Sequence, residues 1–224
     1  MDPRPLIFNN RSDAGKQLAA ALPELDSSNT VVVALPRGGV PVAAQICAAF
    51  ELPLDLVLVR KIGAPGHPEL AVGAVTDGPD PQVTVNQSIA HLLGLSRTEV
   101  ENMGQELLPE IERRRRTYLS DREPQNLNGK TLIVVDDGVA TGATLLASLT
   151  ALKKKQPRQI IVALPVGPAD LGSRLRGLAD NVICLRDLSA FGAVGGAYRE
   201  FAQVDDATVR AILARYAIDG NGST

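Results

Sequence analysis

Hydrophobic and polar residues along this chain follow two alternating patterns. Short apolar runs rich in valine, isoleucine and leucine predict β-strands, and stretches with one apolar face between them predict helices. Short strands that alternate with amphipathic helices form parallel sheets covered by helices on both faces, so the pattern predicts an α/β fold with an open, mainly parallel sheet. The predicted strands are VVVAL (31–35), LDLVLVR (54–60), LIVV (132–135), IIVALPV (160–166) and VICLR (182–186). The predicted helices span 13–22, 40–50, 143 to about 155, 169–178 and 205–216.

A less regular stretch, from about residue 77 to 125, interrupts this alternation as an insertion. Two short apolar segments, 70–76 and 82–85, flank turn-forming residues and predict a hairpin or a bulged edge. A long polar helix follows from Ser96 to about Tyr118. Its single apolar stripe makes a homodimer an expectation.

Four consecutive arginines, Arg113 to Arg116, end this long helix. Consecutive residues on a helix point in all directions, and positive charge suits a helix C-terminus. We therefore interpret the cluster as a solvated helix end. Contacts with phosphate or with another subunit are the alternative.

Composition narrows the class of protein. The chain has 224 residues, 45% of them hydrophobic, which is enough for the core of one domain over residues 1–224. Its formal net charge of -2 argues against a general nucleic-acid binder, because such proteins are usually basic, so no nucleic-acid partner is expected. The sequence has no apolar run of roughly 18 residues and no signal-peptide-like start, so no membrane partner is expected and the cytoplasm is the default location. We expect residues 219–224 to form a frayed tail.

The most informative segment is LIVVDDGVATGATL (132–145), where an apolar strand ends in two adjacent carboxylates. Asp136 and Asp137 are acceptors suited to a vicinal diol or a hydrated Mg2+. The small residues that follow leave backbone N–H groups accessible, and the next helix adds its positive dipole end, so this loop can hold a phosphate. A sugar phosphate satisfies both the acid pair, through its hydroxyls, and the loop, through its phosphate. The small residues are Gly138, Gly142 and Ala143.

Other interpretations of this strand, loop and helix fit less well. A nucleoside triphosphate loop requires GxxxxGK[ST], but no lysine follows Gly142. A dinucleotide fingerprint requires GxGxxG, with its acidic residue about 20 positions downstream and not immediately upstream. A plain βα turn with a capping aspartate is the remaining alternative, although a cap needs only one acid.

A second glycine-bearing loop, LPRGGVPV (35–42), repeats this arrangement on an earlier strand. Arg37 supplies a forked cation, and Gly38 and Gly39 permit close backbone approach at a helix start. By itself the loop is better explained as an ordinary βα turn. Both loops follow strands of an open parallel sheet, however, where ligands bind at the carboxyl ends. We therefore expect a second anion site here.

A third loop, RKIGAPGHPEL (60–70), carries Arg60 and Lys61 at a strand end, followed by glycines and prolines. This composition predicts an irregular, mobile lid with two cations at its base. The alternative is a surface turn that the two cations merely flank.

The segment SAFGAVGGAYREF (189–201) lies in a hood candidate that spans 187–204. Because the chain has few aromatic residues, Phe191 and Tyr198 are the best candidates for stacking on an acceptor ring. They could equally anchor the C-terminal helix to the core, and the sequence leaves both interpretations open.

At the acid pair and its loop, the chain resembles the type I phosphoribosyltransferases. Their signature is four hydrophobic residues, two acids and a Gly/Thr-rich loop of this length. Except for the tail, the chain is similar to a group of bacterial predicted phosphoribosyltransferases with LPRGGVPVA, RKIGAPGxPELAxGAV and VDDGVATGAT in this order. The resemblance implies a phosphoribosyltransferase-type open sheet with helices on both faces, a small hood and an inserted long helix.

The resemblance also implies roles for the site residues. Asp136 and Asp137 would hold the ribose 2- and 3-hydroxyls of 5-phosphoribosyl 1-pyrophosphate (PRPP), and Mg2+ indirectly through water or these hydroxyls. The loop with Arg37, Gly38 and Gly39 would grip pyrophosphate, often through a cis peptide. Arg60 and Lys61 would contact pyrophosphate as well. The 5-phosphate would be enclosed by Gly138, Ala140, Thr141, Gly142, Ala143 and Thr144.

The expected activity is that of a pentosyl-transferring enzyme that moves phosphoribosyl from PRPP to a nitrogenous base or related acceptor. The segment ALPVGPAD (163–170) lacks the lysine expected in purine enzymes of the family, so the acceptor is open. A second hypothesis is a non-catalytic regulator of the same fold that binds PRPP or a nucleotide. A phosphate-ester hydrolase is less favoured, because only one acid pair is evident and neither GxSxG nor HExxH is present.

Overall fold

Five parallel strands form the central sheet of the computed structural model, which describes residues 7–77, 81–119 and 125–216. Their order across the sheet is β2-β1-β6-β7-β8. This open parallel sheet confirms the predicted fold class. The strands are β1 (Thr30–Ala34), β2 (Leu54–Leu56), β6 (Thr131–Val135), β7 (Gln159–Gly167) and β8 (Asn181–Asp187).

Helices cover both faces of this sheet, because alternate residues of each strand point to opposite sides. Ile133 and Val135 join one buried cluster with the second helix, whereas Leu132 and Val134 join another with the fifth. Fully burying each such side chain contributes about 1.5–3 kcal/mol. The predicted helix over 169–178 is only a short turn. The helices flanking the sheet are α1 (Arg11–Ala21), α2 (Gly39–Phe50), α5 (Ala143–Lys154), α6 (Leu171–Arg174) and α7 (Asp206–Arg215).

A second, antiparallel sheet of three strands corrects two predictions. It contains β3 (Val59–Ala64), β4 (His67–Thr76) and β5 (Gln82–Val85). The run predicted as one strand over 54–60 divides between the two sheets, because a continuous apolar run indicates burial but not the partner strand. The segment 60–70, predicted as an irregular loop, is instead the regular β3–β4 hairpin. Its alternate residues Ile62 and Ala64 are buried, a period-two pattern that the glycines and prolines concealed.

The inserted long helix is α4 (Arg97–Leu119), preceded by the short α3 (Gln87–Leu92). Its apolar stripe is covered within this chain: Val100 packs with Ile62 and Val72 on the hairpin, and Ile111 joins the core cluster of α2. The stripe therefore gives no support for a dimer. No helix in the described ranges is both long and apolar enough to span a membrane.

The segment after β8 lies against the start of the described chain. The N–H of Phe8 donates to the carbonyl of Ala197 (2.9 Å), and the N–H of Arg199 donates to the carbonyl of Phe8 (2.8 Å). The closing helix α7 is capped by Asp205, which accepts a hydrogen bond from the N–H of Thr208 (2.7 Å). The predicted tail over 219–224 lies outside the described residues.

Candidate functional site

The two glycine-bearing loops predicted as anion sites are in direct contact at the carboxyl edge of the central sheet. A Cβ atom on Gly38 would lie 2.0 Å from Oδ2 of Asp137, and one on Gly39 would lie 2.6 Å from the carbonyl oxygen of Val135. A side chain at Gly38 would displace the Asp137 carboxylate, and one at Gly39 would displace the backbone at the end of β6. The peptide bond between Pro36 and Arg37 in this loop is cis.

The first acid of the pair, Asp136, is half-buried at the end of β6. Its Oδ1 atom accepts a hydrogen bond from the backbone N–H of Asp137 (2.8 Å). Burial raises the pKa of the Asp136 carboxyl well above its ordinary value, and the adjacent Asp137 carboxylate raises this pKa further. A ligand that brings hydroxyl donors or positive charge would therefore favour the ionised form of Asp136.

The second acid, Asp137, forms an ion pair with Arg11 of α1. The Nε and Nη2 atoms of Arg11 lie 2.8 and 2.7 Å from Oδ2 of Asp137, and both side chains are largely buried. Nη1 of Arg11 also donates to the carbonyl of Ala202 (2.7 Å). Sequence reasoning missed Arg11, because a single arginine in the first turn of a helix carries no local signal for a partner 126 positions away.

The loop after the acid pair presents unpaired backbone donors at the start of α5. The N–H of Val139 donates to the carbonyl of Val166 (2.9 Å) and fixes the base of the loop. A Cβ atom on Gly138, whose φ is +154°, would lie 2.5 Å from Val194, so only glycine lets this loop pack beneath the hood. The N–H groups that follow donate to no group among the described residues, as predicted for a phosphate cradle. They belong to Ala140, Thr141, Gly142, Ala143 and Thr144.

A cavity of about 320 Å³ lies beside the Pro36–Gly39 loop. The predicted pyrophosphate ligands Arg37 and Arg60 line it together with Thr144. Lys61 does not line this cavity but lies in an adjoining cleft that also contains Arg60. The structure thus brings Arg37 and Arg60 together in one cavity and places Lys61 in the neighbouring cleft.

The interpretation of the four arginines of α4 as a solvated helix end is wrong only for Arg115, since Arg113, Arg114 and Arg116 are exposed. Arg113 and Arg114 line the same cavity as Arg37. Arg115 is half-buried and forms an ion pair with the largely buried Asp77 (2.7 Å). Successive side chains of α4 point in different directions, so the four arginines meet different neighbours.

The two aromatic candidates for stacking do not share one environment. Tyr198 is only 6% exposed, with ring centroids 5.4 Å from Phe8 and 5.0 Å from Phe201, and its hydroxyl donates to the carbonyl of Asp137 (2.5 Å). Tyr198 is therefore a packing residue that ties the hood to the acid pair and the first residues, and not to the closing helix. Phe191 is half-buried. Phe201, which the sequence prediction omitted, is more exposed and lies 3.9 Å from the guanidinium carbon of Arg11.

The acid pair fits an indirectly held Mg2+. In the described ranges no cluster of three or more His, Cys, Asp or Glu side chains is placed to ligate a metal ion. Oδ2 of Asp136 and Oδ1 of Asp137 nevertheless accept no hydrogen bond from a backbone N–H or a cationic side chain among the described residues, although the two carboxyl groups interact with each other. Mg2+ commonly binds through one or two carboxylates together with water and substrate phosphate oxygens. The two available oxygens suit that mode, or a pair of ribose hydroxyls.

Replacing Asp136 with asparagine is expected to stabilise the unliganded protein at pH 7. The raised pKa means that the stability contributed by the protonated carboxyl is lost as pH rises from about 3.8 through the folded-state value. Asparagine keeps the acceptor for the Asp137 N–H without a buried charge. Each kcal/mol gained raises Tm by roughly 2–4 °C in a chain of this size. Thermal unfolding followed by circular dichroism between pH 4 and pH 8 measures the difference.

The control for this prediction is Asp205→Asn on the exposed cap of α7. Its pKa is lowered by hydrogen bonds from Thr208, so its pH dependence has the opposite sign, and asparagine caps helices equally well. The Tm advantage of Asp136→Asn should shrink as pH falls. A lower Tm than the native protein at pH 7 would contradict the buried-charge explanation.

Comparisons with known proteins agree with this geometry. A family model described as phosphoribosyl transferase domain matches residues 7–200. Two curated proteins of Mycobacterium tuberculosis, from strains CDC 1551 and H37Rv, are each 39% identical over 209 residues, and their names assign phosphoribosyl transferase activity only provisionally. These residues are 93% of this chain but 47% of each relative, so the chain spans about half the length of the curated relatives it matches.

A solved structure shows the same similarity. The crystal structure of the protein TT1426 from Thermus thermophilus is 38% identical in sequence, with a TM-score of 0.75. The match covers 94% of this chain and 99% of that chain.

Proposed function

This chain belongs to the phosphoribosyltransferase family, and from that premise we propose that it transfers the 5-phosphoribosyl group of PRPP to a nitrogenous base or related acceptor, with Mg2+ and with release of pyrophosphate. One observation carries the proposal: the loop with Gly38 touches the carboxylate of Asp137, so two loops with the composition of anion sites flank one acid pair. PRPP has the matching chemistry, because its ribose diol lies between a monophosphate and a diphosphate.

Each part of the site has a distinct proposed role. Asp136 and Asp137 hold the ribose hydroxyls, and the N–H groups of residues 140–144 enclose the 5-phosphate. Arg37 and Arg60 face the diphosphate from the cavity beside the Pro36–Gly39 loop. Lys61 is a secondary contact, since it lies in the adjoining cleft. The acceptor binds beneath the hood, where Phe191 and Phe201 are the partly accessible aromatic residues.

The proposed reaction separates charge at the anomeric carbon. The bond to the pyrophosphate oxygen breaks as the ribose gains oxocarbenium character and the acceptor nitrogen attacks. The guanidinium groups of Arg37 and Arg60 stabilise the negative charge that accumulates on the leaving group, and the acid pair lies near the developing positive charge. Mg2+, held through Asp136 and Asp137 indirectly, would supply additional charge neutralisation at the diphosphate.

The decisive experiment measures pyrophosphate release from PRPP and Mg2+ against a panel of purines, pyrimidines and related heterocycles. We expect acceptor-dependent release with at least one member. PRPP binding without release across the whole panel would support the non-catalytic regulator instead. If the protein neither binds PRPP nor releases pyrophosphate from it, PRPP is not its ligand.

A further inference from the structure

The cavity beside the Pro36–Gly39 loop is more cationic than the sequence pattern implied. Arg37 and Arg60 were expected there, and the inserted helix α4 adds Arg113 and Arg114. These four guanidinium groups meet two carboxylates, Glu110 and Asp206, within 4.0 Å. Two formal positive charges therefore remain in excess around one concave space.

A single carboxylate orients the α4 arginines in this space. Oε2 and Oε1 of Glu110 accept from Nε and Nη2 of Arg113 (2.8 and 3.0 Å), and Oε1 also accepts from Nε of Arg114 (3.0 Å). Nη1 of Arg60, on the hairpin, lies 3.6 Å from the same Oε1 atom. Glu110 thus holds three guanidinium groups from two elements beside the cavity, and an anion bound there would compete with this carboxylate for their forked donors.

The position of the cavity limits the anion that it can take. Thr144, which also contributes an unpaired N–H to the phosphate cradle, lines the cavity, and Arg37 directly precedes the glycine that touches Asp137. An anion in the cavity is therefore adjacent both to the acid pair and to the end of the 5-phosphate loop at Thr144. Four forked cations suit a diphosphate better than a single phosphate, because a diphosphate offers more oxygens and more negative charge.

We propose that Arg113 and Arg114 of the inserted helix bind the diphosphate group of the substrate in this cavity, together with Arg37 and Arg60. This inference rests on the proposed function for the identity of the substrate. Its physical content is a diphosphate-selective site that is completed by α4. The insertion is then part of the binding site as well as a cover for the β3–β5 sheet.

The test uses isothermal titration of the full chain with inorganic pyrophosphate, orthophosphate and ribose 5-phosphate. Arg113→Gln and Arg114→Gln are each expected to weaken pyrophosphate binding by about tenfold, as for loss of one charge-assisted contact. The double variant should lose more, whereas the affinity for ribose 5-phosphate should stay within about twofold. The matched control is Arg116→Gln, which removes an arginine of the same helix that pairs with Glu112 at the surface, and this variant should bind pyrophosphate normally.

Unchanged pyrophosphate affinity in the folded double variant would overturn the inference, whether or not the protein transfers phosphoribosyl groups. Conversely, pyrophosphate binding that depends on Arg113 and Arg114 supports the diphosphate site even when no acceptor releases pyrophosphate from PRPP. The failure of either proposal is thus distinguishable from the failure of the other.

Should the double variant unfold, Glu110→Gln decides the matter. Removal of the carboxylate that competes with the anion for these arginines is expected to raise pyrophosphate affinity by about threefold or more. An unchanged or lower affinity would overturn the inference. A merely structural role for Glu110 does not predict a gain in affinity.

Discussion

Phosphoribosyl transfer is expected to fall by about a hundredfold or more when Asp137 is replaced with asparagine, because the substitution removes a negative charge at the position proposed for the ribose ring. Loss of one preorganised electrostatic contact costs a rate of this order. The same change leaves the largely buried Arg11 without its ionic partner. A loss of about 1–3 kcal/mol in the free energy of unfolding is therefore also expected.

Steady-state rates with PRPP and the acceptor found by the panel, measured well below the unfolding temperature, test this prediction. Arg11→Gln separates the two effects, since it breaks the same ion pair but keeps the Asp137 carboxylate. It should lose similar stability and much less activity. Asp26→Asn is a surface control at the amino end of the sheet, where Asp26 caps a short turn before β1. Unchanged turnover and PRPP affinity in Asp137→Asn would contradict the assignment of the acid pair.

Replacing Gly38 with alanine is the second substitution for which we expect a large effect. The added Cβ would lie 2.0 Å from Oδ2 of Asp137 and 2.4 Å from its Cγ, so either the loop or the carboxylate must move. Displacement of a positioning group by about 1 Å can cost roughly a hundredfold in rate. We therefore expect PRPP binding and turnover to fall together by about this factor, although no charge has changed.

The matched control for this steric effect is Gly172→Ala in α6. A Cβ on Gly172 has no neighbouring atom within 4 Å, so the same chemical change is made in open space. Its activity should equal that of the native chain, and its stability should be equal or slightly higher. A Gly38→Ala variant with native PRPP affinity and rate would show that the contact between the two loops is irrelevant to the reaction.

Both substitutions act on a site assembled from distant parts of the chain. Arg11 near one end bonds Asp137, and Tyr198 near the other end donates to the carbonyl of the same aspartate. Phe8 packs on the Tyr198 ring. The acid pair is thus held by the first helix and the hood at once, so both ends of the described chain contribute to its position.

The sequence by itself determined the central sheet, the order of its elements along the chain and the two glycine-bearing loops that we propose bind anions. Period-two and period-3.6 patterns report burial of each strand and helix, and the acid pair and the glycines of both loops have local chemical signatures. Gly38 and Gly39 illustrate this: their small size was evident from the sequence, and the structure supplied the neighbour that requires it.

Only the tertiary structure decided which groups meet. The burial of Tyr198, the pairing of Arg11 with Asp137 and the placement of Arg113 in the cavity depend on contacts between residues far apart in the chain. The hairpin over 60–70 likewise depended on its pairing with β5 and α4. Local patterns encode how much of a segment is buried and how it turns, but the orientation of a helix and the partner of a charge are set by packing over the whole fold.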